Sequence, residues 1–335
     1  MTRRYIGIDI GGSSVKGGVV CIDKKDAVSI EEGLEKNYPQ IEKNWGTHKS
    51  QISGQTKIDV ALDVLRKLLR NKDIGGIGIC TTGSVDTKTG IITDDQKEGY
   101  VGTNWPDILR SNFGRNIQIH VINDAKAAAW AEYIFWNSVG SGNLLFSEKY
   151  NNLPDIFAHI IVGSGVGSGL IIKGDIHHGA GGVAGEFGTL YFTPRSYINL
   201  GQDIESYAAS TGIIKAAQLL AQQKHIDPAK YNSLSEINEL YMRRDEIAKT
   251  TLDIASQAIG EGVVALVNIV GPSAITFGGG TIQRINPYFE LIKTYVSSRA
   301  EQPAFEAVQI RVGKLGKDAG VLGAACLALS KPKNY

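Results

Sequence analysis

Asn123 and Asp124 are the residues best placed for chemistry: they close the apolar run IQIHVIND and precede the Ala-rich AKAAAWAEYIFW. A carboxylate at such a strand-to-helix junction can accept the proton of an attacking hydroxyl, as phosphoryl transfer to an alcohol requires. Asp124 is also a good cap for the helix behind it. Two Gly/Ser turns offer what a phosphate needs. One is Gly11, Gly12, Ser13 and Ser14 behind Asp9, and the other is Gly163, Ser164, Gly165 and Gly167 in the second half. Glycine lets backbone N–H groups come close to an anion. Either turn could equally be a plain hairpin connection, with Asp9 capping the first. Neither carries the GK[ST] of a Walker A loop, and neither opens onto a helix as the dinucleotide fingerprint does. Glu186, in GGVAGEFGT, either presents two acceptor oxygens to vicinal sugar hydroxyls or decorates the surface. Gly278, Gly279 and Gly280 either let a flat ring lie against the backbone or make a tight turn.

The elements that must position these residues follow from periodicity. RYIGIDIGGSSVKGGVVCID predicts two β-rich runs joined by a turn, a hairpin. Lys57 to Arg70 place Val60, Ala61, Val64, Leu65 and Leu68 at helical spacing, and GGIGIC behind them predicts a strand. FAHIIVGSGVGSGLIIKGDIHHG repeats the strand–turn–strand device, which suggests two related domains facing across a cleft. After Glu205 the pattern is helical through Lys249 to Val270, gives one strand in SAITFGGG, and ends in a helix from Asp318 to Leu329. The polar stretch Asn137 to Pro154 is expected to be a surface insertion. The expected division is residues 1–124, completed by a terminal helix at 318–335, and residues 125–317.

Composition excludes several classes. The 335 residues are 42% hydrophobic and 21% charged, and 35 Lys plus Arg nearly balance 34 Asp plus Glu. No basic run supplies the electrostatic footprint that nucleic acid needs. Cys21, Cys80 and Cys326 are widely spaced and form no CxxC, so neither a disulfide framework nor a Cys-based zinc site is expected. No leader-like region and no apolar stretch of membrane-spanning length is evident, which makes a cytoplasmic protein the expectation, with no membrane partner.

Taken together, these segments resemble the ROK family (repressor, open reading frame, kinase) of sugar kinases over nearly the whole chain. GIDIGGSSVKGG is similar to the family's first phosphate motif, GIGICTTGSVDTKTG to its G-x-G-x-x-x-G-x-V-D stretch, and HVINDAKAAAWAE to its N-D-A segment. HIIVGSGVGSGLIIKGDIHHGAGGVAGEFG is similar to the second phosphate motif and the sugar loop, AITFGGG to the adenosine strand, and DAGVLGAACLA to the terminal helix that crosses back to the first domain. The resemblance implies an α/β protein of two actin-like (ribonuclease H-like) domains with an inter-domain cleft. It implies ATP held by Asp9, Gly11, Gly12, Ser13, Ser14, Lys16, Gly163, Ser164, Gly165, Gly167, Gly279 and Gly280. Asp9 would hold Mg²⁺ through water, and Asp124 would be the catalytic base. A sugar would lie against Asn104, Asn123, Asp124, Glu186 and Glu205, and a homodimer is implied by analogy. One departure is plain. Family members usually continue G-E-F-G-H into C-x-C-G-x-x-G-C-x-E, whose His and three Cys bind a structural zinc. Here the His position is Thr189 and the segment TPRSYINLGQDIES has no Cys, so no zinc is expected. The Glu that closes that motif aligns as Glu205.

The expectation is therefore an ATP-dependent hexose kinase, with glucose as the first candidate. The alternatives are a non-catalytic sugar or nucleotide sensor, an actin-like ATPase with another acceptor, and a kinase for an N-acetylhexosamine.

Overall fold

The computed structural model describes residues 3–12, 14–23, 27–37, 53–70, 73–95, 99–114, 117–138, 144–145, 153–194 and 198–330. Ser13 and most of the Asn137–Pro154 stretch lie outside the described residues. The chain forms two compact units: residues 1–153, 174–184 and 318–335 make the first, and residues 154–173 and 185–317 the second. The first unit thus runs past Asp124, where the sequence suggested a boundary.

In the first unit, β1 (Arg3–Ile10) and β2 (Ser14–Ile22) form the expected hairpin, and β3 (Ala27–Asn37) adds a third antiparallel strand. β4 (Gly76–Thr81) and β7 (Gln118–Asn123) lie parallel to β1 on its other side. The sheet order is β7-β4-β1-β2-β3-β8, with β8 at Leu144–Leu145, and a separate pair is formed by β5 (Ser84–Asp86) and β6 (Ile91–Asp94). β3 was not anticipated, because in EEGLEKN exposure alternates with period two while most of the residues are charged or polar, so no apolar run marks the strand. α1 (Gly54–Leu68) is capped by Ser53, whose hydroxyl accepts from the Thr56 amide, and it buries Val60, Ala61, Val64, Leu65 and Leu68. α2 spans Trp105–Phe113 and α3 Asp124–Ile134. The piece 174–184 carries β11 (Asp175–Ile176).

α11 (Ala319–Ser330) lies on β1 and β4 and beside α3. Small residues make this approach possible. A Cβ on Gly7 would collide with the Val321 carbonyl, one on Gly78 with the Ala324 carbonyl, and one on Gly323 with the Ala127 carbonyl. The glycines that interrupt the apolar strands β1 and β4 are therefore seats for a helix backbone.

The second unit has β9 (Ile156–Val162) and β10 (Val166–Ile172) as a hairpin, with β12 (Ala274–Gly278) and β13 (Gln309–Val312) parallel beyond β9. Its helices are α4 (Ile204–Ala208), α5 (Ser210–Gln223), α6 (Leu234–Met242), α7 (Glu246–Val270), α8 (Gly280–Arg284), α9 (Tyr288–Ser297) and α10 (Gln302–Ala307). α7 corrects one expectation: by length and composition it is apolar enough to cross a bilayer. Its Ile247, Leu252, Ile259 and Val263 instead lie in the apolar core of this unit, where α7 packs against α4, α5, α6 and α9. Gly262 lets α7 come close to Phe187 and Ile204, which firms the platform on which Glu186 and Glu205 stand.

Candidate active site

The ends of three parallel strands define the centre of the first unit. Ile10 pairs with Thr81, and Thr81 with Asn123, so β1, β4 and β7 finish side by side. Carboxyl ends of parallel strands are where α/β sheets place ligands. Asp9 lies one residue back on β1, opposite Cys80 on β4 and Lys16 on β2. Asp124 begins α3. The helix cap is Asn123, whose Oδ1 accepts from the amides of Ala125 at 3.0 Å and Lys126 at 3.2 Å, while its Nδ2 donates to the Gly83 carbonyl at 3.1 Å. Asp124 is thus relieved of the capping role that sequence offered it. Its Oδ1 accepts one bond, from the Ala125 amide at 2.8 Å.

Electrostatics set this carboxyl apart. Burial, and then the neighbouring Asp9 carboxylate, push the Asp124 carboxyl up to about 7, while the Ala125 amide and Lys57 oppose the rise. Asp9 is also raised, by burial first, with Lys16 and Cys80 acting against it and Glu35 with it. The Cys80 thiol beside both acids is pushed well up, chiefly by burial, and so stays protonated. Its Sγ donates to the Gly320 carbonyl at 3.4 Å. A Cβ on Gly320 would stand 2.7 Å from Asp9 Oδ2, so α11 closes over this acid. Two raised carboxyls at neighbouring strand ends suit proton acceptance near neutral pH and the company of a cation.

A buried cation that sequence reasoning missed stands close by. The Lys57 ammonium, on the inner face of α1, donates to Thr82 Oγ1 at 2.7 Å and lies 3.4 Å from Asp95 Oδ2 and 4.3 Å from the Tyr100 ring centroid. Thr82 Oγ1 donates to Asp95 Oδ2 at 3.0 Å, and Thr81 Oγ1 meets the Tyr100 hydroxyl at 2.8 Å. The signal was present in the sequence. Lys57 falls in the same stripe as Ala61, Val64 and Leu68, where an unpaired charge could not remain.

Of the remaining first-unit candidates, the Gly11 amide donates to the Ser14 carbonyl at 3.0 Å to close the turn, and Gly12 has open space where a side chain would stand. The Ser14 hydroxyl donates to Glu35 Oε1 at 3.0 Å. Asn104 is the cap of α2: its Oδ1 accepts from the Asp107 amide at 3.2 Å and its Nδ2 donates to Asp107 Oδ2 at 2.8 Å. Asp9, Lys16, Asn123 and Asp124 are therefore brought together, whereas the Asn104 amide is engaged within its own helix. Ser13 lies outside the described residues.

In the second unit, the Gly163 amide donates to the Gly165 carbonyl at 2.8 Å, and the Gly163 carbonyl accepts from the Ser210 amide at 2.8 Å and from Thr281 Oγ1 at 3.1 Å. Thr281 directly follows Gly280, so the Gly279–Gly280 and Gly163–Gly165 turns are tied together. Gly279 has φ +93°, and a Cβ there would collide with the Val162 carbonyl, so only glycine fits. Glu205 Oε2 accepts from the Val166 amide at 2.7 Å and would be 2.8 Å from a Cβ on Gly165, so this acid lies under the turn. Ser164 and Glu186 are exposed, and the Glu186 carbonyl accepts from Thr189 Oγ1 at 2.8 Å. Gly163 also has open space at its Cβ position, and Gly167 is half-buried. Among the described residues, no group of three or more His, Cys, Asp or Glu could hold a metal ion.

Comparison with known proteins gives a family and two kinds of relative. The family model of the ROK family matches residues 5–331. Glucokinase of Halalkalibacterium halodurans is 26% identical over 347 residues, covering 97% of this chain and 94% of that protein. The xylose repressor of Bacillus spizizenii is 23% identical over 339 residues, covering 97% of this chain and 76% of that protein. Among solved structures, a ROK family glucokinase from Streptomyces griseus, in complex with glucose and AMPPNP, aligns with a TM-score of 0.72 at 23% identity, covering 97% of this chain and 99% of that one. This likeness gives the fold: two actin-like α/β domains.

Proposed function

Because the chain belongs to the ROK family, we propose that it is an ATP-dependent sugar kinase that phosphorylates the primary hydroxyl of a hexose, glucose first. The observation that carries this reading is the Asp124 carboxyl, half-buried beside Asp9 and raised to about 7. A base poised near the operating pH is what proton abstraction from a sugar hydroxyl calls for.

The residues divide the work. Asp124 accepts the hydroxyl proton as the oxygen attacks. Asn123 fixes the first turn of α3 by capping it, so Asp124 stays aimed. Lys57 favours the ionised form of Asp124 from within the unit. The open backbone at Gly12 and at Gly163 fits close approach by phosphate oxygens, with Lys16 supplying a positive charge near the first turn. Gly279 and Gly280 fit an adenine ring lying against the backbone. Asp9, half-buried and opposite Lys16 in register, suits water-mediated contact with Mg²⁺; when bound, that ion would neutralise charge on the transferred phosphate. Glu186 and Glu205 supply carboxylate acceptors for sugar hydroxyls, and a homodimer working in the cytoplasm is part of the same reading.

The test is an ADP-release assay across aldohexoses, ketohexoses and N-acetylhexosamines with ATP and Mg²⁺. Turnover is expected with plain hexoses and greatest with glucose. A much higher kcat/KM for an N-acetylhexosamine would reassign the acceptor. The xylose repressor among the relatives favours a second reading, a sugar sensor without catalysis; saturable sugar binding with no ADP release from any acceptor would select it.

A further inference from the structure

The loop between Thr189 and Glu205 has to be held in shape without the Cys and His that would bind a metal, and among its described residues one hydroxyl gathers three backbone groups. Tyr207, on α4 and 2% exposed, places its Oη against the backbone of Ile198, Leu200 and Gly201. That oxygen accepts from the Leu200 amide at 3.1 Å. Its single proton points to the Gly201 carbonyl at 3.2 Å, with the Ile198 carbonyl at 3.4 Å as the alternative acceptor. The ring stands edge-on to Phe192 at 5.2 Å between centroids. The base of the loop is closed by two backbone bonds, from the Phe192 amide to the Gln202 carbonyl and from the Ile204 amide to the Leu190 carbonyl, each 3.0 Å. A Cβ on Gly201 would collide with Ser206 Oγ, so this loop residue lies directly against α4. Asp203 caps the same helix by accepting from the Ser206 amide at 2.8 Å. One short helix therefore carries both the organising hydroxyl and Glu205, whose other end supports the Gly163–Gly165 turn through the Val166 amide.

We propose that Tyr207 is a positioning residue that does for this loop what a structural metal does in a zinc-bearing one: its hydroxyl gathers the Ile198–Gly201 backbone onto α4 and thereby sets Glu205 for the acceptor. Like a metal, the oxygen draws several groups to one point, here three backbone groups six to nine residues before Tyr207. Unlike a metal, it imposes direction through one donated and one accepted hydrogen bond, and it needs no thiolate. The proposal that this alignment serves a sugar rests on the reading of Glu205 as an acceptor contact; the alignment itself does not.

Tyr207→Phe keeps the ring and its contact with Phe192 but leaves the Leu200 amide and the Gly201 carbonyl without this partner. Removing a buried partner of this kind corresponds to roughly a tenfold change in an equilibrium. The expected result is an acceptor KM raised about tenfold, with kcat and the ATP KM within about twofold of wild type. Phe192→Leu, which loosens packing without touching the hydroxyl, is expected to lower the melting temperature and leave the acceptor KM in place. Equal effects of the two variants on the acceptor KM would overturn the positioning role. Two measurements do not depend on sugar turnover or on the variant's yield. Native-state hydrogen exchange of the free protein should show the Leu200 amide protected in wild type and about tenfold faster in Tyr207→Phe, with amides of α7 unchanged; exchange at Leu200 as fast as in an open loop in wild type would refute the latch. Wild-type protein treated with a zinc chelator, freed of it and returned to Mg²⁺ should keep its hydrogen-exchange pattern in this loop. Loss of protection restored by zinc alone would show that a metal, not Tyr207, holds the loop. Failure of the kinase reading would appear as an absence of turnover in wild type with the exchange result intact.

Discussion

Asn123 caps α3 with its own side chain, and Asp124, the next residue, is thereby left with a single backbone amide on its carboxylate. Both residues are able to cap, and with Asn123 doing so the Asp124 carboxylate is not needed for it. If Asp124 is the base, Asp124→Asn removes proton acceptance while Asn123 keeps the helix start. The expected outcome is kcat lowered by about 10²–10⁴-fold with sugar and nucleotide binding near normal and a melting temperature no lower than wild type. A variant that retained more than about a tenth of wild-type kcat would take Asp124 out of the catalytic role, given that lower bound.

The raised Asp124 carboxyl also couples activity and stability in opposite directions. An unfolded Asp titrates near ~4, and in the fold this group titrates at about 7. The folded state therefore holds the proton more tightly, and the stability contributed by the group is present in full below the unfolded value and is lost as pH rises through 7. A base must be ionised to work, so kcat/KM should climb with pH across that window. Denaturant melts and initial rates on one buffer series would check both slopes, and the opposing stability slope should vanish in Asp124→Asn. Rates that fall from pH 6 to 8 would contradict the assignment.

Lys57→Met tests the buried cation. It would leave Asp95, whose side chain is only 4% exposed, without its Lys57 partner, a change that costs about 3–5 kcal/mol for a buried pair. Because Lys57 holds the Asp124 carboxyl down, its loss should also move the rising limb of the rate profile to higher pH. An unmoved limb together with near wild-type stability would mean that the network contributes to neither.

Two glycines should fail in opposite ways. Gly78→Ala drives a methyl into the Ala324 carbonyl, so overpacking should cost about 1–3 kcal/mol or more while the ATP KM changes little in whatever folds. Gly12→Ala meets nothing within 4 Å, so stability should hold and the ATP KM should rise as the methyl occupies the approach to the backbone. Thermal melts and nucleotide titrations of the pair decide it, and matching phenotypes would remove the distinction between a helix seat and a ligand cradle.

Much of this was readable because the chemistry is local in sequence. The two strand–turn–strand devices and the junction at Asn123–Asp124 carry their geometry in a few adjacent residues, and periodicity fixes what flanks them. Lys57 was passed over because a lysine in a helix is ordinarily a surface residue, and its partners Thr82 and Asp95 come from another part of the first unit. The role of Asn123 as cap could not be separated from that of Asp124 by type, since both residues are good caps. β3 was missed because its strand pattern is written in charges, and Tyr207 because a hydroxyl reaching three backbone groups of an irregular loop leaves no period to detect. Asn104 shows the reverse case: a residue assigned to a ligand by resemblance spends its amide on Asp107.

The seating of α11 on Gly7 and Gly78 has a consequence for biosynthesis. The face of β1 and β4 that this helix covers is made before residues 154–317, and its cover only after they have been threaded out. At roughly 5–20 residues per second, that interval is on the order of 10 s. The second unit can therefore finish while the first still lacks the helix that covers β1 and β4, leaving that apolar face open to the ribosome exit and to any chaperone waiting there.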